Sequence, residues 1–195
     1  MAVNGERDLR EGTVKHRIVA LSEDNLIDAP EWDADPLSCK WCLYWEDPEL
    51  PGGRTEDRDE AFRRKLDWLK RVEREFEAPG KLLYVEGSPV GYAAYAPGRF
   101  FPNASAYPAV AVSDDAAFIG CLFIASRENR GRGLGSLLLE ATITDLRERG
   151  TPAVETFARR GSAENPSGPV ELYLKHSFSI LRDDPQFPLM RLDLR

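Results

Sequence analysis

Cys121-Leu-Phe-Ile-Ala-Ser-Arg-Glu-Asn-Arg-Gly-Arg-Gly-Leu-Gly-Ser-Leu-Leu-Leu-Glu140 is the stretch on which the reading of this chain turns. Residues 121–125 are a short apolar run of strand-forming residues, and residues 126–129 are a polar break. From Arg132 onward Ser136, Glu140, Thr144, Arg147 and Glu148 share one helical stripe, while Leu134, Leu137, Leu138, Ala141 and Leu146 fill the remaining surface. A mostly buried helix is expected here, stopped at Gly150 by a C-terminal cap. Between strand and helix, the alternating glycines of Arg130-Gly-Arg-Gly-Leu-Gly135 let the backbone approach a ligand without interference from Cβ atoms. The first amides of a helix lack intrahelical partners and sit at the positive end of its dipole, so the turn suits an anion such as a pyrophosphate. Arg130 and Arg132 add charge to it.

A glycine-rich strand-to-helix turn is a weak signal alone, because nucleotide folds share its physics and a tight connection can carry incidental glycines. The spacing is neither the Gly-x-Gly-x-x-Gly of a nicotinamide site nor the Gly-Lys-Ser/Thr of a phosphate loop. The rest of the chain narrows the choice. His16–Leu21 reads as a first strand, and Ser22 is the candidate cap of a helix starting before Leu26. Residues 27–57 lose regularity, holding Trp32, Cys39, Trp41, Cys42, Tyr44 and Trp45 among prolines, as a long loop or a short irregular helix too aromatic for disorder. Asp57-x-x-Glu60 resembles a capping box before an amphipathic helix of Phe62, Leu66, Leu69, Val72 and Phe76. Lys81–Gly87 and Val90–Ala96 form a hairpin about Gly87-Ser-Pro89, and residues 97–112 are a second loop with Phe100, Phe101 and Tyr107. Ala116–Ala125 is the fourth strand, and Ala153–Ala158 the fifth. Residues 165–177 contain a short helix, and 178–182 with 189–194 close the chain as a hairpin.

This order of elements resembles the GNAT N-acetyltransferase superfamily from end to end. The family's acyl-CoA signature, Arg/Gln-x-x-Gly-x-Gly/Ala, is met by Arg130, Gly133 and Gly135. Tyr173-Leu-Lys-His-Ser-Phe178 is similar to its Tyr-x-x-x-Gly-Phe ending, with Ser177 in place of Gly, a residue with a Cβ where Gly turns most easily. The resemblance implies a single α/β (α+β) GNAT domain over 1–195, with residues 1–14 a flexible segment and the loops 27–57 and 97–112 near the acceptor. It also implies a mixed sheet of six to seven strands, about four flanking helices, and a splay between the fourth and fifth strands.

The same resemblance implies acetyl-CoA as co-substrate. Backbone groups of Phe123, Ile124 and Ala125 would pair with its pantetheine arm, and Arg130, Gly131, Arg132, Gly133, Gly135, Ser136 and Asn165 would hold the rest. Tyr173 matches the position that protonates the leaving thiolate. Glu155, within the fifth strand, is the choice of general base, with Asp114 and Asp115 as other carboxylates near the cleft. The acceptor would be a small-molecule amine or a peptide N-terminus, with direct transfer in a ternary complex, and a homodimer is compatible with the reading. A non-catalytic acyl-CoA-binding protein on the same fold is the alternative.

Composition sets the outer bounds. A net charge of -7 argues against nucleic acid as a partner. The N-terminus lacks the apolar core of a signal peptide and no segment reaches eighteen apolar residues, so no membrane association is expected and a cytoplasmic location is. Three cysteines make no disulfide framework, and Cys39-Lys-Trp-Cys42 lacks the further ligands of a structural zinc site and the βαβ context of a redox motif, so no metal is expected.

Overall fold

The computed structural model describes residues 7–11, 14–32, 38–106, 111–162 and 165–195. Its strands are β1 (Arg7–Glu11), β2 (Val14–Ala20), β3 (Gly80–Val85), β4 (Ser88–Pro97), β5 (Ala116–Ile124), β6 (Ala153–Phe157), β7 (Ser179–Arg182) and β8 (Leu189–Asp193). Its α-helices are α1 (Arg58–Phe76), α2 (Leu134–Glu148) and α3 (Val170–Lys175). One mixed sheet runs β1-β2-β3-β4-β5-β6-β8-β7, in which, among the described residues, β5 and β6 are the one pair of strands in parallel.

The eighth strand is β1, which pairs with β2 within the stretch expected as a flexible lead. Three α-helices stand among the described residues where about four were expected. The described part of 27–57 contributes only 3-10 turns, at Leu26–Asp28 and Pro51–Gly53, in a segment interrupted by Pro30, Pro48 and Pro51. Ser22 does not cap the first of these. Its backbone N–H instead donates to the Asn25 side chain at 2.8 Å. Tyr107 lies outside the described residues.

Strand alternation divides the core in two. Leu82, Tyr84, Tyr92, Ala94, Phe118 and Phe123 face α1, where Trp68, Leu69 and Val72 cover them. Leu83, Ala93, Tyr95, Ile119 and Leu122 face the other way, under Leu134, Leu138 and Leu146 of α2 and Tyr173 of α3. Asp57 caps α1 by accepting from the amides of Asp59 and Glu60, both at 3.1 Å, but the reciprocal half of the expected capping box is not made: the Asp57 N–H donates to Thr55 Oγ1 at 3.3 Å and the Glu60 carboxylate pairs with Arg63 and Arg64. Gly150, at φ +71, ends α2.

Two irregularities prepare the site. Register between β4 and β5 shifts at Ala94/Tyr95, and β5 pairs with β6 only from Ala116↔Ala153 to Phe118↔Glu155. Beyond that point the two strands part, and the expected splay is present between them. The Trp45 indole packs edge-on to Phe118 at 5.1 Å and covers Gly120, where an added Cβ would lie 2.9 Å from Trp45 Cδ1.

Candidate active site

Where β5 and β6 diverge, a cavity of about 300 Å³ opens, bounded by the end of β5, the turn into α2, the turn before α3 and Trp32 from the long loop. Phe123, Ile124, Arg130, Gly131, Gly133, Gly135, Ser136 and Asn165 all line it, so most of the residues singled out in the sequence meet in one place. The N-terminus of α2 opens onto this cavity. Gly133 precedes it in the left-handed region at φ +81, and no side chain caps the helix. Its first amides thus point outward with no competing side chain.

Strand alternation corrects the expected edge. The Ala125 N–H donates to Val90 O at 2.9 Å, toward β4, whereas the Leu122 N–H donates to Pro166 O at 2.6 Å, away from β4. Neighbouring residues of a strand direct their backbone groups to opposite sides, so Phe123 and Ala125 serve the β4 ladder. Leu122 and Ile124 present the open edge. Leu122 was not singled out in the sequence, and Ala125 and Arg132 do not line the cavity.

The arginines of the turn have local partners. Arg130 donates from Nε to Ile124 O at 3.0 Å and from Nη2 to Ala125 O at 2.8 Å, so its charge holds the end of β5. Arg132 is exposed and donates to Asn129 Oδ1 at 3.2 Å. Asn165 Oδ1 accepts from the Ser167 N–H at 2.9 Å and the Ser167 hydroxyl at 2.5 Å.

Tyr173 is fully buried, edge-on to Phe178 at 5.2 Å, and donates its hydroxyl to Ser167 O at 2.7 Å. Burial pushes its phenol up, against a smaller lowering by the Thr156 side chain. The group is therefore a proton carrier at neutral pH. Ser177, at φ +66, takes the left-handed turn that Gly takes more easily.

Glu155 is fully buried, with Oε2 accepting from the Ser113 N–H at 2.9 Å and Oε1 accepting from the Ser113 hydroxyl at 2.7 Å and Arg191 Nη1 at 2.8 Å. It lies outside the lining of the cavity, and both oxygens are occupied. This geometry is that of a latch joining β6, β8 and the approach to β5, and it overturns the choice of Glu155 as general base. Of the other carboxylates, Asp115 pairs with Arg191 at 2.9 Å, and that partner holds it below the usual carboxylate range. Asp114 is exposed.

The three thiols gather unexpectedly. The nearby Cys121 thiol together with burial raises the Cys39 thiol. Burial pushes Cys42 up to about 11. The neighbouring Lys65 and Glu46 form a buried ion pair, and the buried Tyr92 hydroxyl has no hydrogen-bond partner among the described residues. No group of three or more His, Cys, Asp or Glu among the described residues is arranged to hold a metal ion.

Comparison with known proteins agrees with this geometry. An N-acetyltransferase from Staphylococcus aureus Mu50 aligns with TM-score 0.59 at 16% identity, over 92% of this chain and 99% of that one. The putative acetyltransferase yncA from Salmonella typhimurium, solved with acetyl-CoA, gives 0.58 at 16% identity over 92% and 94%. PaiA N-acetyltransferase from Thermoplasma acidophilum, solved with coenzyme A, gives 0.54 at 13% over 91% and 98%. No curated protein matches the chain in sequence. The sequence profile described as the acetyltransferase (GNAT) family matches residues 40–178, a span holding the parted strands, the uncapped helix and Tyr173. With both its sequence and its architecture in agreement, the chain belongs to the GNAT acetyltransferase family.

Proposed function

We propose that this protein is an acyl-CoA-dependent N-acetyltransferase that moves an acetyl group from acetyl-CoA to a primary amine by direct transfer. The observation that carries the reading is the cavity along the edge of β5 beyond the point where β6 parts from it, continuous with the uncapped N-terminus of α2. An extended ligand bearing amides pairs with the open strand edge at Leu122 and Ile124, as an added strand would. Its pyrophosphate rests on the amides of residues 131–136, and the open space about Gly131 and Gly133 leaves room for it.

A neutral amine attacks the thioester carbonyl, forming the new C–N bond and a tetrahedral oxyanion. Collapse breaks the C–S bond, and Tyr173 delivers its proton to the leaving thiolate. The phenolate regains a proton from the ammonium product or water. The acceptor is a small-molecule amine or a peptide N-terminus.

One observation favours a second reading, a non-catalytic acyl-CoA-binding protein. Among the described residues no Asp, Glu or His lines the cavity, and the Tyr173 hydroxyl is engaged by Ser167. Thiol release from acetyl-CoA across a panel of small amines and peptide N-termini separates the two. Release with any acceptor supports the enzyme, whereas calorimetric binding of acetyl-CoA without release across the panel supports the binding protein. No described helix is long and apolar enough to cross a membrane.

A further inference from the structure

The proposed chemistry needs two donors, Leu122 on the lining of the cavity and Tyr173, which like Glu155 lies outside that lining but is buried directly behind Gly168, and one short turn engages both. Leu122 N–H donates to Pro166 O at 2.6 Å, and the Tyr173 hydroxyl donates to Ser167 O at 2.7 Å. Gly168, at φ +74, brings this turn onto the strand edge. A Cβ there would lie 3.3 Å from the Tyr173 hydroxyl oxygen and 3.5 Å from Leu122 O. A backbone N–H or a phenol O–H has one proton to donate. A carbonyl of the pantetheine arm and the carbonyl of Pro166 therefore compete for Leu122, and a thiolate competes with Ser167 for Tyr173.

We propose that residues 165–168 form a strap that stands in for the ligand, and that acyl-CoA enters the thioester end of the cavity by displacing it. This inference rests on the proposed function. The strap is built to swing at one end. At Gly168 it is anchored to the residues after β6, with Arg159 N–H donating to Gly168 O at 2.8 Å and Val170 N–H donating to Arg159 O at 3.1 Å. At its other end it is curled by the Asn165 side chain, which accepts from the Ser167 N–H at 2.9 Å and the Ser167 hydroxyl at 2.5 Å, while the Gly168 N–H donates to Asn165 O at 3.0 Å. That curl points the carbonyls of Pro166 and Ser167 at β5 and Tyr173. Exchanging protein carbonyls for ligand carbonyls on the same donors changes few hydrogen bonds in number, so the equilibrium is set mainly by how well the curl holds.

The consequence opposes the ordinary expectation for a residue lining a binding cavity. Removing the Asn165 side chain weakens the closed state, raises the fraction of protein competent to bind, and tightens apparent affinity. Calorimetry with coenzyme A should give Asn165→Ala a dissociation constant about threefold to tenfold lower than wild type. Asn165→Ser, whose hydroxyl supports the same turn more weakly, should fall between the two. In the wild-type protein, hydrogen exchange should show the Ser167 and Gly168 amides losing protection when coenzyme A is added, while Leu122 stays protected.

Unchanged or weaker binding by a folded Asn165→Ala, or unchanged exchange at Ser167 and Gly168 in saturated wild type, overturns the strap. If Asn165→Ala does not fold, the wild-type exchange experiment decides alone. Absence of coenzyme A binding by every form, folded by circular dichroism, rejects the cofactor site itself and the strap with it, a result distinct from weakened binding.

Discussion

Two glycine turns border the same cavity, and they differ in what surrounds them. At Gly131 and Gly133, before α2, an added Cβ would meet nothing within 4 Å among the described residues, although both residues have positive φ. At Gly168, before α3, φ is also positive, but the same Cβ would press on Tyr173 and on the Leu122 carbonyl. The first turn needs glycine for its backbone and keeps empty space beside it. The second needs glycine for its backbone too, but has protein atoms at 3.3–3.5 Å where the first has open space. A glycine's surroundings thus separate a surface left open for a ligand from one closed by the chain itself, a distinction that φ alone does not make.

The largest effect that would sharpen this contrast lies at the closed turn. Tyr173→Phe keeps the ring against Phe178 and removes only the hydroxyl, so thiol release at saturating acetyl-CoA should fall about 10²-fold or more. Near-normal release would assign the proton to water and leave Tyr173 a packing role. At the open turn, Gly133→Val puts a β-branched residue at φ +81, where the strain is about 1–3 kcal/mol. Coenzyme A affinity should drop by about tenfold as the turn distorts, since 1.4 kcal/mol is a factor of ten. Calorimetry giving unchanged affinity in a folded variant would remove that turn from the binding site.

A third test is set away from both turns. Glu155→Gln removes the charge facing Arg191 but keeps the shape, so the cost is in stability, about 1–3 kcal/mol by denaturant unfolding. Arg191 still pairs with Asp115 and Asp193, at 2.9 and 2.8 Å, which limits the loss. Turnover of the folded variant should stay within about threefold of wild type, because the carboxylate does not reach the cavity. A drop of 10²-fold at unchanged stability would restore Glu155 as the base.

The smallest effect is expected at the thiols. With its thiol raised to about 11, Cys42 at pH 7 is thiolate in only about one molecule in ten thousand. Its alkylation, followed by mass spectrometry, should be slow at neutral pH and accelerate about tenfold per pH unit toward 11 in folded protein. Cys42→Ser should leave turnover within about twofold. Rapid labelling at pH 7 would contradict the raised pKa of that half-buried thiol.

What was legible in the sequence follows from how local each signal is. The turn at Arg130–Gly135 and the buried helix after it are written in spacings of a few residues, and the cap at Asp57 lies within three positions of its partners. Which side of β5 faces the cavity is not written there. It is set by pairing with β4 some thirty residues earlier, so the sequence points to Phe123, Ile124 and Ala125 together, although Ile124 alone of these shares the open edge with Leu122. Glu155 reads as a carboxylate on a strand beside a cleft until Arg191, 36 positions on, and Ser113, 42 positions back, arrive in the fold. Cys121 reads as a strand residue remote from Cys39, because nothing in the chain between them records that the long loop folds back over β5. The strap at 165–168 is likewise invisible, since its role depends on two donors from separate elements.

The contact between Trp45 and Gly120 bears on how such a protein can change. An alanine at position 120 would collide with the indole, with 2.9 Å to Cδ1 and 3.3 Å to Phe101 Cε1. The indole is also wedged against Phe118 and Phe157 and cannot slide aside without disturbing both. The two positions are therefore constrained as a pair, and the order of substitution matters. Enlarging residue 120 costs least once residue 45 has become smaller, and Gly120→Ala made first carries an overpacking cost of about 1–3 kcal/mol.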